Sequence, residues 1–194
     1  MEPVLISDPS AQDQARVFAT LVSAFRADPV ERWLYPDDDE YDKNFVLFLA
    51  AFGGPAFRCG TAWCLGDCAA VALWIPPRAQ PDGAEITRVL SETVAPAKHA
   101  DTFSALEQLD AAHPSYPHWY LPWFGVDAMR QSQGLGSRLM AACLAAVDGT
   151  GLPAYLETPN PRTIPFYSRH GFEVTGVTNA GSCPPITFML RAAR

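Results

Sequence analysis

Apolar positions along this chain change period several times, and each change marks an element. Residues 3–7 (Pro3 to Ser7) are short, apolar and extended, as an edge strand would be. From 11 to 26 the spacing becomes helical, with Val17, Leu21 and Phe25 on one face and Asp8 or Ser10 able to cap the start. Asp28-Pro29 restarts a helix, Asp as cap and Pro at its first position, through 31–34. Residues 41–52 predict another helix, closed by Gly53-Gly54-Pro55. Residues 61–65 and 68–75 then predict a hairpin around Gly66-Asp67, ended by Pro76-Pro77. Helices follow over 84–94 and 102–112, parted by Pro96. An aromatic strand at 118–127, a helix at 137–147, a buried strand at 152–158 and closing strands at 172–178 and 185–190 complete the chain.

A strand–helix–strand unit over 119–158 with antiparallel strands on both sides predicts an α/β fold with a mixed sheet. No repeat, linker or low-complexity tail divides the 194 residues, so a single domain, 1–194, is expected. The hydrophobic share of 48% and charged share of 18% are those of a globular protein. A net charge of −7 with no basic stripe argues against nucleic acid as a partner. The one dense charge run, Asp37 to Glu40, is acidic, and an acidic surface suits a cationic small molecule. No run approaches the roughly 20 apolar residues of a membrane span. The N-terminus has no leader-like pattern, which points to the cytoplasm. Five cysteines, an odd number, and four histidines without ligand spacing predict neither a disulfide framework nor a metal site. Composition leaves a homodimer open.

Chemistry concentrates where the aromatic strand meets the helix. Between them lies Gln131-Ser132-Gln133-Gly134-Leu135-Gly136, followed by Ser137. A strand, a glycine turn and a helix start in that order suit an anionic ligand. Amides at a helix N-terminus lack intrahelical partners, and the dipole adds positive potential. The loop is neither a dinucleotide fingerprint, since Leu139 occupies the third glycine slot, nor an NTP loop, since no Lys follows.

The form Q-x-x-G-x-G resembles the pyrophosphate loop of the GNAT acetyltransferases. Asn160, Tyr167 seven residues later, and Gly171-Phe172 resemble that superfamily's last block. The segments Leu156-Glu157-Thr158, Pro161-Arg162, Pro165-Phe166-Tyr167 and His118-Trp119-Tyr120-Leu121 are similar to the subgroup of puromycin N-acetyltransferase and its relatives, as are 60–63 and 69–77 upstream. The resemblance implies a GNAT fold of about six to seven strands, splayed between its two central ones, with acetyl-CoA as cofactor. It implies that Phe124, Gly125 and Val126 flank the pantetheine arm, that residues 131–137 hold the diphosphate, that Asn160 meets the arm, and that Tyr167 stands near the thioester sulfur. Residues 28–57 and 82–117 carry no matching motif and would hold acceptor specificity.

Acetyl transfer from a thioester to an amine needs a neutral amine, donors for an oxyanion, and a proton for the departing thiolate. Tyr167 is the candidate donor. Glu157, at the C-terminal end of a strand next to the cofactor strand, is the candidate base, since ligands of open α/β sheets gather at those ends. His118 and Tyr120 are its rivals. The backbone N–H of Phe124 or a neighbour is expected to face the oxyanion. Trp33, Trp74, Trp119, Tyr120 and Trp123 are candidates for the acceptor pocket, because aromatic faces suit flat or cationic molecules. The resulting expectation is an N-acetyltransferase acting directly on a small-molecule amine, antibiotic- or aminonucleoside-like. A non-catalytic acyl-CoA sensor and a protein N-acetyltransferase are the alternatives.

Overall fold

The computed structural model describes residues 2–194. Seven strands form one sheet: β1 Pro3–Ile6, β2 Ala62–Leu65, β3 Ala70–Ile75, β4 Trp119–Val126, β5 Ala154–Thr158, β6 Glu173–Val177 and β7 Thr187–Arg191. Their order is β1-β2-β3-β4-β5-β7-β6. β4 and β5 run parallel, and the other neighbouring pairs run antiparallel. The helices are α1 Ala11–Phe25, α2 Pro29–Leu34, α3 Asp38–Arg58, α4 Gly83–Thr93, α5 His99–Ala112, α6 Leu135–Asp148 and α7 Ile164–Arg169. This is the expected mixed α/β sheet.

β3 shows how the core is divided. All six of its residues are buried. Val71 and Leu73 face the core under α1 and α3, while Ala70, Ala72 and Trp74 face the core under α6. A central strand covered on both faces needs no polar alternation. α6 contributes Leu135, Leu139, Cys143, Met140 and Val147, a stripe at helical spacing. α1 starts at a capping box: the Ser10 hydroxyl accepts from the Asp13 N–H, and the Asp13 carboxylate accepts from Ser10.

One local expectation, the end of α3, is corrected. The acidic run at 37–40 is a helix start: Asp37 accepts from the N–H groups of Asp39 and Glu40, and the acids after it favour the positive end of α3. The helix does not stop at Gly53-Gly54-Pro55 but continues to Arg58. Proline there sacrifices one ladder bond, yet Pro55, Ala56 and Phe57 are all buried, so packing outweighs the local break. Gly53 is needed for that packing. A Cβ on it would lie 2.5 Å from Leu73 Cδ1 and 2.9 Å from Trp123 Cδ1. Gly53→Ala is therefore expected to cost about 1–3 kcal/mol by overpacking. Urea unfolding measures it, and an unchanged midpoint would contradict this packing.

Candidate active site

The site begins with an irregularity in β4. Against β3, Leu73 pairs with Trp123 and Ile75 pairs with Tyr120, so β4 spends one residue more than its partner. Pro122 lies in that bulge. It has no N–H for the ladder, and bulges accommodate such a residue. The extra residue reverses the side-chain alternation. Leu121 packs on the α6 side, Trp123 on the α1–α3 side, and Phe124 and Val126 return to the α6 side.

The same point ends the pairing of β4 with β5. Trp119, Tyr120 and Leu121 pair with Ala154, Tyr155 and Leu156, and no register continues beyond them. β4 runs on to Val126 along β3, and β5 runs on to Thr158 along β7. The two central strands thus diverge. The Asp127 N–H donates to Ala69 O across the β3 side at 2.9 Å. Backbone alternation then turns the N–H groups of Phe124 and Val126 the other way, into the gap.

The glycine loop closes the wide end of this gap. Asp127 accepts from the Met129 N–H at 2.9 Å and shapes the turn Ala128–Arg130. Gln131 Nε2 donates to the Val126 carbonyl at 3.2 Å, tying the loop to the end of β4. Ser132 and Gly134 take positive φ values of 61° and 76°. Gln131, Ser132, Gln133 and Gly134 are exposed, whereas Leu135 is buried in the α6 core. Gly134 is the N-cap of α6, and among the described residues no side chain caps that helix. A Cβ on Gly134 would meet nothing within 4 Å, while one on Gly136 would meet Val126 at 3.4 Å and Phe124 and Phe166 at 3.6 Å. An uncapped helix start beside open space, with unpaired strand amides adjoining it, fits an elongated ligand with an anionic segment such as coenzyme A.

Glu157 and Tyr167 flank the gap from opposite sides of the sheet. Alternation along β5 sends Leu156 to the α6 core and Glu157 to the α5 side. The Glu157 side chain is only 8% exposed, and its Oε1 is buried without a hydrogen-bond partner. His113 Nε2 lies 3.4 Å from that oxygen. Tyr167, on α7, is buried in the α6 core with Phe166 at 5.2 Å and Phe172 at 6.0 Å between ring centroids. Burial, with a contribution from the charge of Asp28, raises the Tyr167 phenol well above its ordinary range and keeps it protonated. Asn160 holds the connection between β5 and α7: its side-chain oxygen accepts from the Arg162 N–H at 3.1 Å.

The aromatic candidates are scattered rather than gathered. Trp74 is 1% exposed and sealed in the α6 core, which leaves it no face for an acceptor. Trp123 is a packing hub, with Phe25, Phe45, Phe48 and Phe52 edge-on at 5.2 to 6.1 Å. Trp119 starts β4, at the end away from the gap, and its indole N–H donates to Thr150 Oγ1 at 3.0 Å. Trp33 sits on α2 under the Lys98 ammonium, 5.5 Å from the ring centroid. Tyr120 alone of the five lies beside Glu157, whose charge adds to burial in raising its phenol. The physical reason is common to them: large aromatics are the most effective way to fill a core.

Sequence reasoning read Asp28 only as a cap and missed Glu31 and His113. Asp28 and Glu31 are 5% and 4% exposed, and Glu31 Oε2 is buried without a partner. Burial pushes the Asp28 carboxyl up to about 6, against hydrogen bonds from the Glu31 and Val30 N–H groups. Burial, then the charge of Asp28, raises Glu31 well above the carboxylate range. The folded state therefore binds protons more tightly than the unfolded chain. The cost of ionising Asp28 is absent below about pH 4 and complete above about pH 6, amounting to about 3 kcal/mol. Asn caps helices as well as Asp does. Asp28→Asn should flatten the fall in stability between pH 4 and 6 in urea titrations. An unaltered slope would contradict the burial. His113, the C-cap of α5, carried no spacing signal at all.

Comparison with known proteins agrees with this fold. A protein of Schizosaccharomyces pombe described as an uncharacterized N-acetyltransferase is 24% identical over 204 residues, covering 93% of this chain and 80% of its own. A Corynebacterium glutamicum structure described as histone acetyltransferase HPA2 and related acetyltransferase superimposes with a TM-score of 0.69 at 22% identity, over 100% of this chain and 98% of that one. Arylalkylamine N-acetyltransferase 2 from Aedes aegypti gives 0.64 at 12% identity, over 96% and 97%. These likenesses are of fold. The model of the acetyltransferase (GNAT) family matches residues 20–172, from α1 through the glycine loop to the Gly171-Phe172 turn. The chain belongs to the GNAT family and is an acetyltransferase.

Proposed function

We propose that residues 1–194 work as one acetyl-CoA-dependent N-acetyltransferase domain, acting directly on the amine of a small antibiotic- or aminonucleoside-like molecule. The observation that carries this is the divergence of β4 and β5 beyond Leu121 and Leu156, with Glu157 and Tyr167 on either side of it. Bound acetyl-CoA would supply an activated acetyl thioester. Backbone amides of Gln131 to Ser137 would hold its diphosphate. Phe124, Gly125, Val126 and Asn160 would hold its arm.

Glu157 takes a proton from the acceptor ammonium and frees the lone pair on nitrogen. Tyr167 keeps a proton on its hydroxyl for the departing thiolate. The N–H of Phe124, turned into the gap, would donate to the oxygen on which negative charge develops, and a donor of that kind contributes about 3 kcal/mol. No cysteine lies between Glu157 and Tyr167, which favours direct transfer over an acyl-enzyme. The charge of Asp28, felt at Tyr167, favours a cationic acceptor. An arylalkylamine is the acceptor named for one protein of the same fold.

The test is thiol release from acetyl-CoA with a panel of cationic small amines and with a lysine peptide. Release with the amines and none with the peptide is expected. Release with the peptide alone, or with nothing, would contradict the assignment.

A further inference from the structure

Glu157 is one end of a chain of groups that fixes its own proton positions. His113 Nε2 stands 3.4 Å from Glu157 Oε1. His113 Nδ1 is 3.0 Å from His118 Nε2, and His118 Nδ1 is 2.8 Å from the carbonyl oxygen of Tyr116. A carbonyl oxygen can only accept, so His118 carries its hydrogen on Nδ1. Burial, the largest influence on His118, lowers its affinity for a second proton, so its Nε2 offers a lone pair. The donor to that lone pair is His113 Nδ1–H. One ring nitrogen remains unassigned, His113 Nε2, and it faces a carboxylate oxygen that has no hydrogen-bond partner. Two lone pairs facing each other there repel, whereas one proton between them satisfies both.

The surroundings keep other charges away. Rings of Tyr120 from β4 and Tyr155 from β5 box His113, each at 4.6 Å between centroids. Burial holds both phenols protonated, and both hydroxyls are near enough to donate to the Glu157 carboxylate. The titratable groups facing His113 are thus His118, Tyr120, Tyr155 and Glu157. The chain ends at an exposed turn containing Ser115, Tyr116 and Pro117, open to solvent.

We infer that His113 and Glu157 form one proton-accepting unit, which His118 and the Tyr116 carbonyl hold in a single tautomer. The inference rests on the proposed role of Glu157 as base. The N–H bond of the acceptor ammonium breaks and its electron pair stays on nitrogen. The proton settles between Glu157 Oε1 and His113 Nε2. The unit passes from carboxylate plus neutral imidazole, charge −1, to a carboxylate–imidazolium pair, charge 0. Solvent takes the proton after turnover. His113 does not touch the acceptor. It is a positioning residue that orients the buried carboxylate and shares the proton that Glu157 receives.

Nitrogen-15 NMR of the histidine rings tests this without any turnover. In the wild type at high pH, both His113 and His118 should be Nδ1–H tautomers. In Glu157→Gln, whose amide can donate to the His113 Nε2 lone pair, the nitrogen-15 resonance of that atom should move while those of His118 stay in place. His113 as the Nε2–H tautomer, or an Nε2 resonance indifferent to Glu157→Gln, would overturn the inference. In kinetics, His113→Gln should lower kcat at least about tenfold, leave KM nearly unchanged and displace the acid limb of the kcat/KM profile. Wild-type kcat and an unmoved limb in a folded His113→Gln protein would also overturn it. If Glu157→Gln itself turns over normally, the base assignment falls. If only His113→Gln is silent, Glu157 stands and the paired unit falls.

Discussion

Glu157→Gln should lower kcat/KM about 10²- to 10⁴-fold, the range associated with a positioned general base. The change keeps the volume and removes only the ability to take a proton. Among the described residues His113 is the one ion-pair contact of Glu157, and a glutamine keeps an oxygen to accept from the Tyr120 and Tyr155 hydroxyls beside it, so the fold has little to lose. Its Oε1 is already without a hydrogen-bond partner, and a glutamine there relieves a buried negative charge. Thermal stability should therefore hold or rise while turnover collapses. This opposite movement separates a catalytic carboxylate from a structural one. A structural glutamate would lose both together. Steady-state kinetics beside a melting curve decide between them.

Gly136→Val should weaken coenzyme binding by at least about a hundredfold while leaving the helix in place. Gly136 lies in the first turn of α6, and a Cβ on it would reach Val126 at 3.4 Å and Phe124 and Phe166 at 3.6 Å. A β-branched side chain would then push into the place where the loop, the end of β4 and α7 converge. Hydrogen bonds to a charged group are worth about 1.5–3 kcal/mol each, so losing two amides is enough for the effect. Gly134 is less decisive. Its positive φ of 76° makes any side chain strained, so a failure there would mix folding with binding.

Much of this was legible in the order of residues. The cap Asp28 with Pro29, the hairpin around Gly66 and the glycine turn before α6 are local signals with local causes, and each was found where expected. Pro122 sits in the bulge because a missing N–H has only a few tolerable positions in a ladder. What was illegible depends on contacts distant in sequence. α3 passes through Gly53-Gly54-Pro55 because Leu73 and Trp123 require a residue without a side chain at 53. Trp74 looked like a ligand contact because composition cannot distinguish a core tryptophan from a pocket one. His113 was invisible because its partner Glu157 lies 44 positions further along the chain, where no periodicity connects them.

The most direct measurement is a pair of calorimetric titrations of the wild-type protein, one with coenzyme A and one with pantetheine, which lacks the diphosphate. Binding of coenzyme A in the micromolar range, with pantetheine weaker by about a hundredfold or more, is the predicted result. Equal affinities, or no heat with millimolar coenzyme A, would contradict the assignment of the glycine loop and the amides of α6 to an anionic cofactor.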